Sequence, residues 1–189
     1  MVSATNVHSG DERPSAWIER FADLVPQGGR VLDVAAGHGR HARLFAARGA
    51  HVLAVDRDAD ALATLRGIAG VDVLAADLES GPWPLNGLTF DAIVVVNYLH
   101  RPLFAHLLDA LCDGAALIYE TFAVGNERYG RPANPDFLLR EGELLDVVKG
   151  RLTVVAFEQG YVGGERPAVV QRLAAVRPRA WPPPLPSAP

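Results

Sequence analysis

The chain has 189 residues, 49% of them hydrophobic and 21% charged, which is ordinary for a globular protein. Its 18 basic and 22 acidic side chains give a formal charge of -4, so no strong positive field draws it to nucleic acid or an anionic membrane. The one cysteine, Cys112, cannot form an intrachain disulfide. The N-terminus lacks a secretory signal, and the longest apolar run, 92–96, is too short to span a membrane. We therefore expect a cytoplasmic protein.

The patterns along the chain predict one domain over residues 13–177, with a flexible N-terminus at 1–12 and a flexible tail at 178–189 that contains six prolines. The predicted helices cover 14–25, 39–48, a segment capped by Asp58, 103–111 and 141–149. The predicted strands cover 30–35, 51–56, 71–75, 90–96, 115–121, 152–158 and 168–176. Strict alternation over the first five strands indicates a parallel sheet. The last two strands are joined by too short a segment for a helical crossover, which predicts an antiparallel hairpin.

Each of three predicted strands has an acidic residue at or just after its carboxyl end. Asp33 lies at the end of the first strand, Asp56 ends the second, and Asp77 follows the third. Because the carboxyl ends of parallel strands share one edge, where ligands bind beside the switch in strand order, we expect these acids to surround a ligand.

The turn after the first strand is rich in small residues, which let a ligand approach the backbone at the start of the following helix. The segment 37–42, Gly-His-Gly-Arg-His-Ala, also fits the Gly-x-Gly-x-x-Ala form of the dinucleotide fingerprint. An NAD(P)-dependent oxidoreductase is therefore an alternative. Asp33 argues against it, since a carboxylate there would repel a pyrophosphate but suits a cationic amino group.

The segment 33–39, Asp-Val-Ala-Ala-Gly-His-Gly, resembles the first motif of the class I S-adenosylmethionine-dependent methyltransferases, with Ala35 in place of the first glycine. The resemblance extends over about residues 13–176. Segments 32–41 and 97–102 are similar to the small bacterial methyltransferases of the tellurite-resistance type. The resemblance to the methyltransferases implies an α/β fold: a Rossmann-like, seven-stranded, mostly parallel sheet with one antiparallel strand and helices on both faces.

The resemblance also implies S-adenosyl-L-methionine as cofactor. Asp33 and the following turn would hold the methionine end, Asp56 the ribose, and Asp77 with the Leu78 amide the adenine. Asn97 and Tyr98 would border the sulfonium methyl. The full set of implied cofactor-binding residues is Asp33, Ala35, Ala36, Gly37, His38, Gly39, Asp56, Arg57, Asp77, Leu78, Asn97 and Tyr98.

The candidate catalytic residues follow or end the fourth and fifth strands: His100, Tyr98 and Glu120. His100 is our preferred general base, because imidazole changes charge near neutral pH. The long loop 122–139 is a candidate substrate lid, and Trp17 a candidate cover over the cofactor.

We expect a small-molecule or metalloid acceptor and a monomer or homodimer. Segment 97–100, Asn-Tyr-Leu-His, lacks the proline pair of enzymes that methylate adenine or glutamine, which argues against flipped-base chemistry and against nucleic acid as a partner. His38 and His41 are interpreted as solvent-facing or helix-packing residues, and no metal site is expected. A non-catalytic cofactor-binding protein is a further alternative.

Overall fold

The computed structural model describes residues 13–178, so the predictions for 1–12 and for 179–189 lie outside the described residues. The α-helices are α1 (Ala16–Phe21), α2 (Arg40–Ala47), α3 (Ala59–Ala63), α4 (Leu103–Asp109) and α5 (Glu143–Val148). The strands are β1 (Arg30–Val34), β2 (His51–Asp56), β3 (Val71–Ala75), β4 (Phe90–Val96), β5 (Leu111–Phe122), β6 (Thr153–Val162) and β7 (Ala168–Val176). Short 3-10 turns lie at Ala22–Leu24, Asn126–Arg128 and Pro135–Phe137.

The seven strands form one sheet in the order β3-β2-β1-β4-β5-β7-β6. Strands β1 to β5 pair in parallel, and β7 runs antiparallel to both β5 and β6. The predicted mostly parallel sheet with one antiparallel strand is confirmed. The strand order reverses between β1 and β4, which places a crevice at the carboxyl ends of these two strands.

Helices cover both faces of the sheet, as predicted. On one face α1, α2 and α3 pack against the strands through Ile18, Phe45 and Leu62. On the other face α4 and α5 pack through Leu107 and Leu144. The central strand β4 is buried almost throughout because both of its faces are covered, which explains its unbroken apolar sequence.

Several predicted boundaries differ from the structure, most of all those of the fifth strand and the first helix. Strand β5 begins at Leu111, since Leu111 pairs with Phe90 directly after α4. Cys112 is therefore a half-buried strand residue. Helix α1 begins at Ala16, after Ser15, whose side chain accepts a hydrogen bond from the Trp17 amide and so caps the helix.

Within residues 13–178, no helix is both long and apolar enough to cross a membrane.

Candidate functional site

The turn after β1 has a backbone conformation that favours glycine. Ala35, Gly37 and Gly39 have φ values of 54°, 55° and 72°. A Cβ atom at Gly39 would lie 2.3 Å from Cδ1 of Leu65, so this position leaves no room for a side chain. Apart from His38, the turn consists of small residues, so its backbone lies close to the start of α2.

Asp33 lies under this turn and is only 1% exposed. One carboxylate oxygen, Oδ2, has no hydrogen-bond partner, whereas the Ala42 amide donates to the carboxylate. Burial raises the pKa of Asp33 to about 7, although the Ala42 amide and the charge of Arg40 act in the opposite direction. A buried carboxylate with an unused oxygen is suited to a cationic N–H donor that enters the crevice.

Asp56, at the end of β2, holds the turn in place. Its Oδ2 accepts a hydrogen bond from the Gly37 amide at 2.7 Å, and its Oδ1 accepts one from the Asp58 amide at 2.9 Å. The Ala36 amide donates to the carbonyl of Val55 at 3.0 Å. Each carboxylate oxygen keeps a second lone pair, which a hydroxyl donor can use.

Asp77 lies in an exposed turn after β3. Hydrogen bonds from the Glu79 amide and the Ser80 hydroxyl lower the pKa of Asp77, and the charges of Arg57 and His100 lower it further. Leu78 is half-buried beside it. His100 and Arg57 thus lie near enough to Asp77 to act on it electrostatically.

The segment after β4 turns sharply at Asn97, whose φ is 55° and whose amide donates to the Glu120 carbonyl at 2.9 Å. The Tyr98 carbonyl accepts a hydrogen bond from the Tyr119 hydroxyl at 2.8 Å. The Tyr98 hydroxyl bonds to the Glu79 carboxylate, and burial together with the charges of Glu79 and Asp77 raises the pKa of Tyr98 above its usual range. The Tyr98 hydroxyl therefore stays protonated at neutral pH.

Glu120 belongs to β5 and its carboxylate is engaged on both oxygens. Arg172 Nε donates to Oε2 at 2.6 Å, and the Ser15 hydroxyl donates to Oε1 at 3.1 Å. Arg172 also contacts Glu158, and Glu158 contacts Arg20 of α1. Glu120 is thus part of a row of charges across β5, β7 and β6.

The loop that follows β5 is anchored at several points. Asn126 is buried, accepts from the Val169 amide at 3.1 Å and donates to the Pro132 carbonyl at 3.1 Å. Arg101 donates to both oxygens of the buried Glu143, at 2.7 and 3.0 Å, and to the carbonyls of Asp136 and Leu138. Arg101 therefore ties the far end of the loop to the segment that carries Tyr98 and His100.

Three further predictions concern aromatic residues and histidines. Trp17 is buried, and its ring N–H donates to the Leu173 carbonyl at 3.3 Å, so Trp17 packs against β7; its role as a cover over the cofactor stays a prediction. His41 is a buried residue of helix α2, whereas His38 is exposed. The described residues contain no group of His, Cys, Asp and Glu side chains that would hold a metal ion.

Sequence reasoning missed several residues that shape the site. They are Ser15, Glu79, Arg101, Glu143 and Arg172. Only Ser15 carried a local signal, since it follows a proline and precedes an apolar helix, as N-cap residues do. The others act through contacts between residues distant in the sequence.

Comparisons with known proteins agree with this geometry. Residues 31–114 match a family model described as a methyltransferase domain. No curated protein matches the sequence significantly. TehB from Haemophilus influenzae is similar in structure, with a TM-score of 0.69 and 15% identity over 85% of this chain. This chain spans 61% of that protein's chain.

Two other solved structures are similar. A TehB-like SAM-dependent methyltransferase from Corynebacterium glutamicum has a TM-score of 0.63 and 18% identity, over 85% of this chain and 86% of its own. The N-methyltransferase NodS from Bradyrhizobium japonicum has a TM-score of 0.61 and 15% identity, over 85% of this chain and 90% of its own.

The unused oxygen of Asp33 and the turn of small residues after β1 fit the ammonium and methionine end of S-adenosylmethionine. The oxidoreductase alternative has no such support, because the matched model describes methyltransferases. Residues 31–114 thus match a methyltransferase domain, and the fold is similar to that of solved S-adenosylmethionine-dependent methyltransferases.

Proposed function

We propose that the protein transfers a methyl group from S-adenosylmethionine to a small-molecule or metalloid acceptor. The observation that carries this proposal is the anchored loop after β5, which Arg101 ties to the segment after β4 and Asn126 ties to β7. An acceptor site bordered by a fixed loop favours a small acceptor over an extended polymer. The net charge of -4 also supports a small acceptor over nucleic acid.

On the donor side, Asp33 accepts the ammonium group through its unused Oδ2. The backbone of Ala35, Ala36, Gly37, His38 and Gly39 lies along the methionine chain. Asp56 accepts from the ribose hydroxyls with its remaining lone pairs, and Arg57 lies beside it. Asp77 and the Leu78 amide recognise adenine, since the turn after β3 orients both. Asn97 and Tyr98 border the position of the methyl group.

When bound, the cofactor supplies an electrophilic methyl group on a sulfonium. The protein's main contribution is to align the acceptor with that methyl, because good alignment can lower such a barrier by about 7 to 11 kcal/mol in the best models. His100 removes a proton from acceptors that need to lose one. Tyr98 stays protonated and acts as a donor, while Glu120, held by Arg172, orients the acceptor side.

The test is methyl transfer from S-adenosylmethionine with a tritiated methyl group to cell extract fractionated by size, with sodium tellurite as a second, defined acceptor. We expect label in the low-molecular-mass fraction or in a methylated tellurium product. Asp33→Asn is the matched control, since it keeps the shape of the side chain and removes its charge. Label confined to protein or nucleic acid would contradict the small acceptor. No transfer at all, with S-adenosylhomocysteine still bound, would favour a non-catalytic binding protein.

A further inference from the structure

The segment 13–15 lies across the carboxyl end of β4. The Ser15 amide donates to Nε2 of His41 at 3.1 Å, and the Ser15 hydroxyl donates to Oε1 of Glu120 at 3.1 Å. His41 is on α2, which follows β1, and Glu120 is on β5. Because β4 lies between β1 and β5 in the sheet, a residue bonded to both sides passes over the end of β4.

His41 is a buried titratable residue that methyl transfer does not use. It is 4% exposed, and burial, helped by the charge of Arg40, lowers the pKa of His41 to about 3. The imidazole is therefore neutral, and its Nε2 accepts the Ser15 N–H. Loss of this acceptor would leave a backbone N–H without its partner.

The same turn of α2 serves the donor pocket. The amide of Ala42, the next residue, donates to Asp33, and Arg40, the residue before, donates to the Arg13 carbonyl at 3.2 Å. The first turn of α2 thus binds the carboxylate under the donor pocket and also holds the segment 13–15. The contact with Asp33 and the contact with Arg13 therefore depend on the same helical turn.

Ser15 is also held on the β5 side of β4. Glu120 receives the Ser15 hydroxyl while Arg172 fixes its second oxygen at 2.6 Å. Arg172 faces Glu120 on one side and Glu158 on the other as direct cross-strand neighbours. Glu158 in turn binds Arg20 of α1, the helix that Ser15 caps. Ser15 therefore has two fixed partners on opposite sides of β4.

We propose that His41 is a positioning residue that holds Arg13–Ser15 as a wall of the donor pocket, so that retention of the bound donor depends on the Ser15–His41 hydrogen bond. This role concerns the donor side alone. It stands or falls independently of the acceptor, because binding of S-adenosylhomocysteine can be measured without any acceptor.

The sharpest test compares Ser15→Pro with Ser15→Ala in the full chain. Both variants lose the hydroxyl, but only proline also loses the backbone N–H that His41 accepts. Ser15 has a φ of -62°, which proline adopts without strain. We expect Ser15→Pro to bind S-adenosylhomocysteine about tenfold more weakly than Ser15→Ala, mainly through faster dissociation in stopped-flow experiments. Equal affinities and dissociation rates would overturn the proposal.

A second pair of variants tests His41 itself. His41→Ala removes the acceptor, whereas His41→Gln places an amide group at a similar reach. We expect His41→Ala to lose affinity about tenfold, and His41→Gln to recover most of it. His51→Ala serves as the control, because His51 is exposed at the amino end of β2, away from the carboxyl ends of the strands. If His41→Ala lowers only the melting temperature and leaves affinity for S-adenosylhomocysteine unchanged, the residue has a structural role and the proposal fails.

Hydrogen exchange supplies a readout that does not depend on ligand. In His41→Ala and Ser15→Pro, amides at the start of α1 should exchange faster than in the wild-type chain, and His41→Gln should restore their protection. Unchanged protection there in both variants would contradict the proposed contact. If His41→Ala fails to fold, the Ser15→Pro and Ser15→Ala comparison decides alone.

Discussion

The buried position of Asp33 opposes the ionisation of its carboxyl group. The unused Oδ2 and the pKa of about 7 have the same origin, since Asp33 is buried where little favours the ionised form. A cationic ligand would favour that form. Ligand binding and the ionisation of Asp33 should therefore be coupled.

The ligand-free protein should lose stability as the pH rises from about 4 to about 7. In this window the folded protein keeps the Asp33 proton, because its pKa is about 7, while the unfolded chain, with a pKa near 3.8, has released it. Unfolding releases a proton, so the free energy of unfolding falls by up to about 1.4 kcal/mol for each pH unit.

Urea denaturation of wild type and Asp33→Asn across this range is the measurement. Asp33→Asn should lack this slope and be the more stable protein near pH 7, while it loses affinity for S-adenosylhomocysteine. The exposed Asp72→Asn is the control. A constant difference between wild type and Asp33→Asn over the whole range would show that Asp33 is ionised in the folded state.

Ala35 occupies a left-handed conformation that a non-glycine residue adopts at a cost of about 1 to 2 kcal/mol. Ala35→Gly should remove that cost, partly offset by the greater freedom of glycine in the unfolded chain, for a net gain of about 0.5 to 1 kcal/mol. The neighbouring Ala36→Gly, which has no positive φ to relieve, should destabilise. Thermal unfolding of both variants tests this, and a loss of stability in Ala35→Gly would contradict the strain.

Asp56 combines two tasks, since it holds the Gly37 amide and is proposed to accept from ribose. Asp56→Ala should weaken binding of S-adenosylhomocysteine by about 1 to 3 kcal/mol. Calorimetry measures this, with Asp60→Ala on the exposed surface of α3 as the control. An unchanged affinity in a folded Asp56→Ala protein would remove Asp56 from the cofactor site.

Among the elements of the fold, the strands were the most predictable from sequence. The bounds of β2, β3, β4 and β7 were predicted to the residue, because each is a β-branched or apolar run that ends at a polar residue or a turn. Helix α5 is shorter than predicted because Gly142, with a φ of 66°, precedes its first residue. The anchors of the 122–139 loop were not predictable, since Arg101 and Glu143 are 42 residues apart in sequence and meet only in the folded chain.

The Arg101–Glu143 pair makes this loop part of the folded unit. Burial alone would raise the pKa of Glu143, but the hydrogen bonds from Arg101 and Arg140 lower it to about 2. The pair's contribution to stability is therefore complete above about pH 4.5 and is lost as the pH falls through about 2. At neutral pH the loop is tied to the segment after β4, which argues against its movement as one lid.

Arg101→Ala should destabilise the protein by about 3 to 5 kcal/mol, because it leaves the buried Glu143 carboxylate without its main partner. Arg140→Ala is the matched control. Its side chain contacts the same carboxylate but is 76% exposed, so its removal should cost less than about 1 kcal/mol. Chemical denaturation at pH 7 measures both. Equal effects would show that Glu143 is less dependent on Arg101 than the geometry indicates.

Across the whole molecule, the strand order places the groups proposed to hold the cofactor and the loop proposed to border the acceptor on opposite sides of β4. The ends of β1, β2 and β3 carry the groups proposed to hold the cofactor, and β5, β6 and β7 with the anchored loop form the other half. Strand β4 lies between them, and the segment after it, with Asn97, Tyr98 and His100, faces both halves. Substitutions in the two halves should therefore affect different steps.

His100→Ala tests this division. If His100 is the base, its loss should lower turnover about 100-fold or more, since general base catalysis typically contributes that much. Affinity for S-adenosylhomocysteine should be retained, because the groups proposed to hold the cofactor are unchanged. Tritium transfer to tellurite or to the labelled extract fraction gives turnover, and calorimetry gives affinity. Normal turnover would reject His100 as the base. A loss of affinity equal to that of Asp56→Ala would instead place His100 on the donor side, beside Asp77, whose pKa its charge lowers.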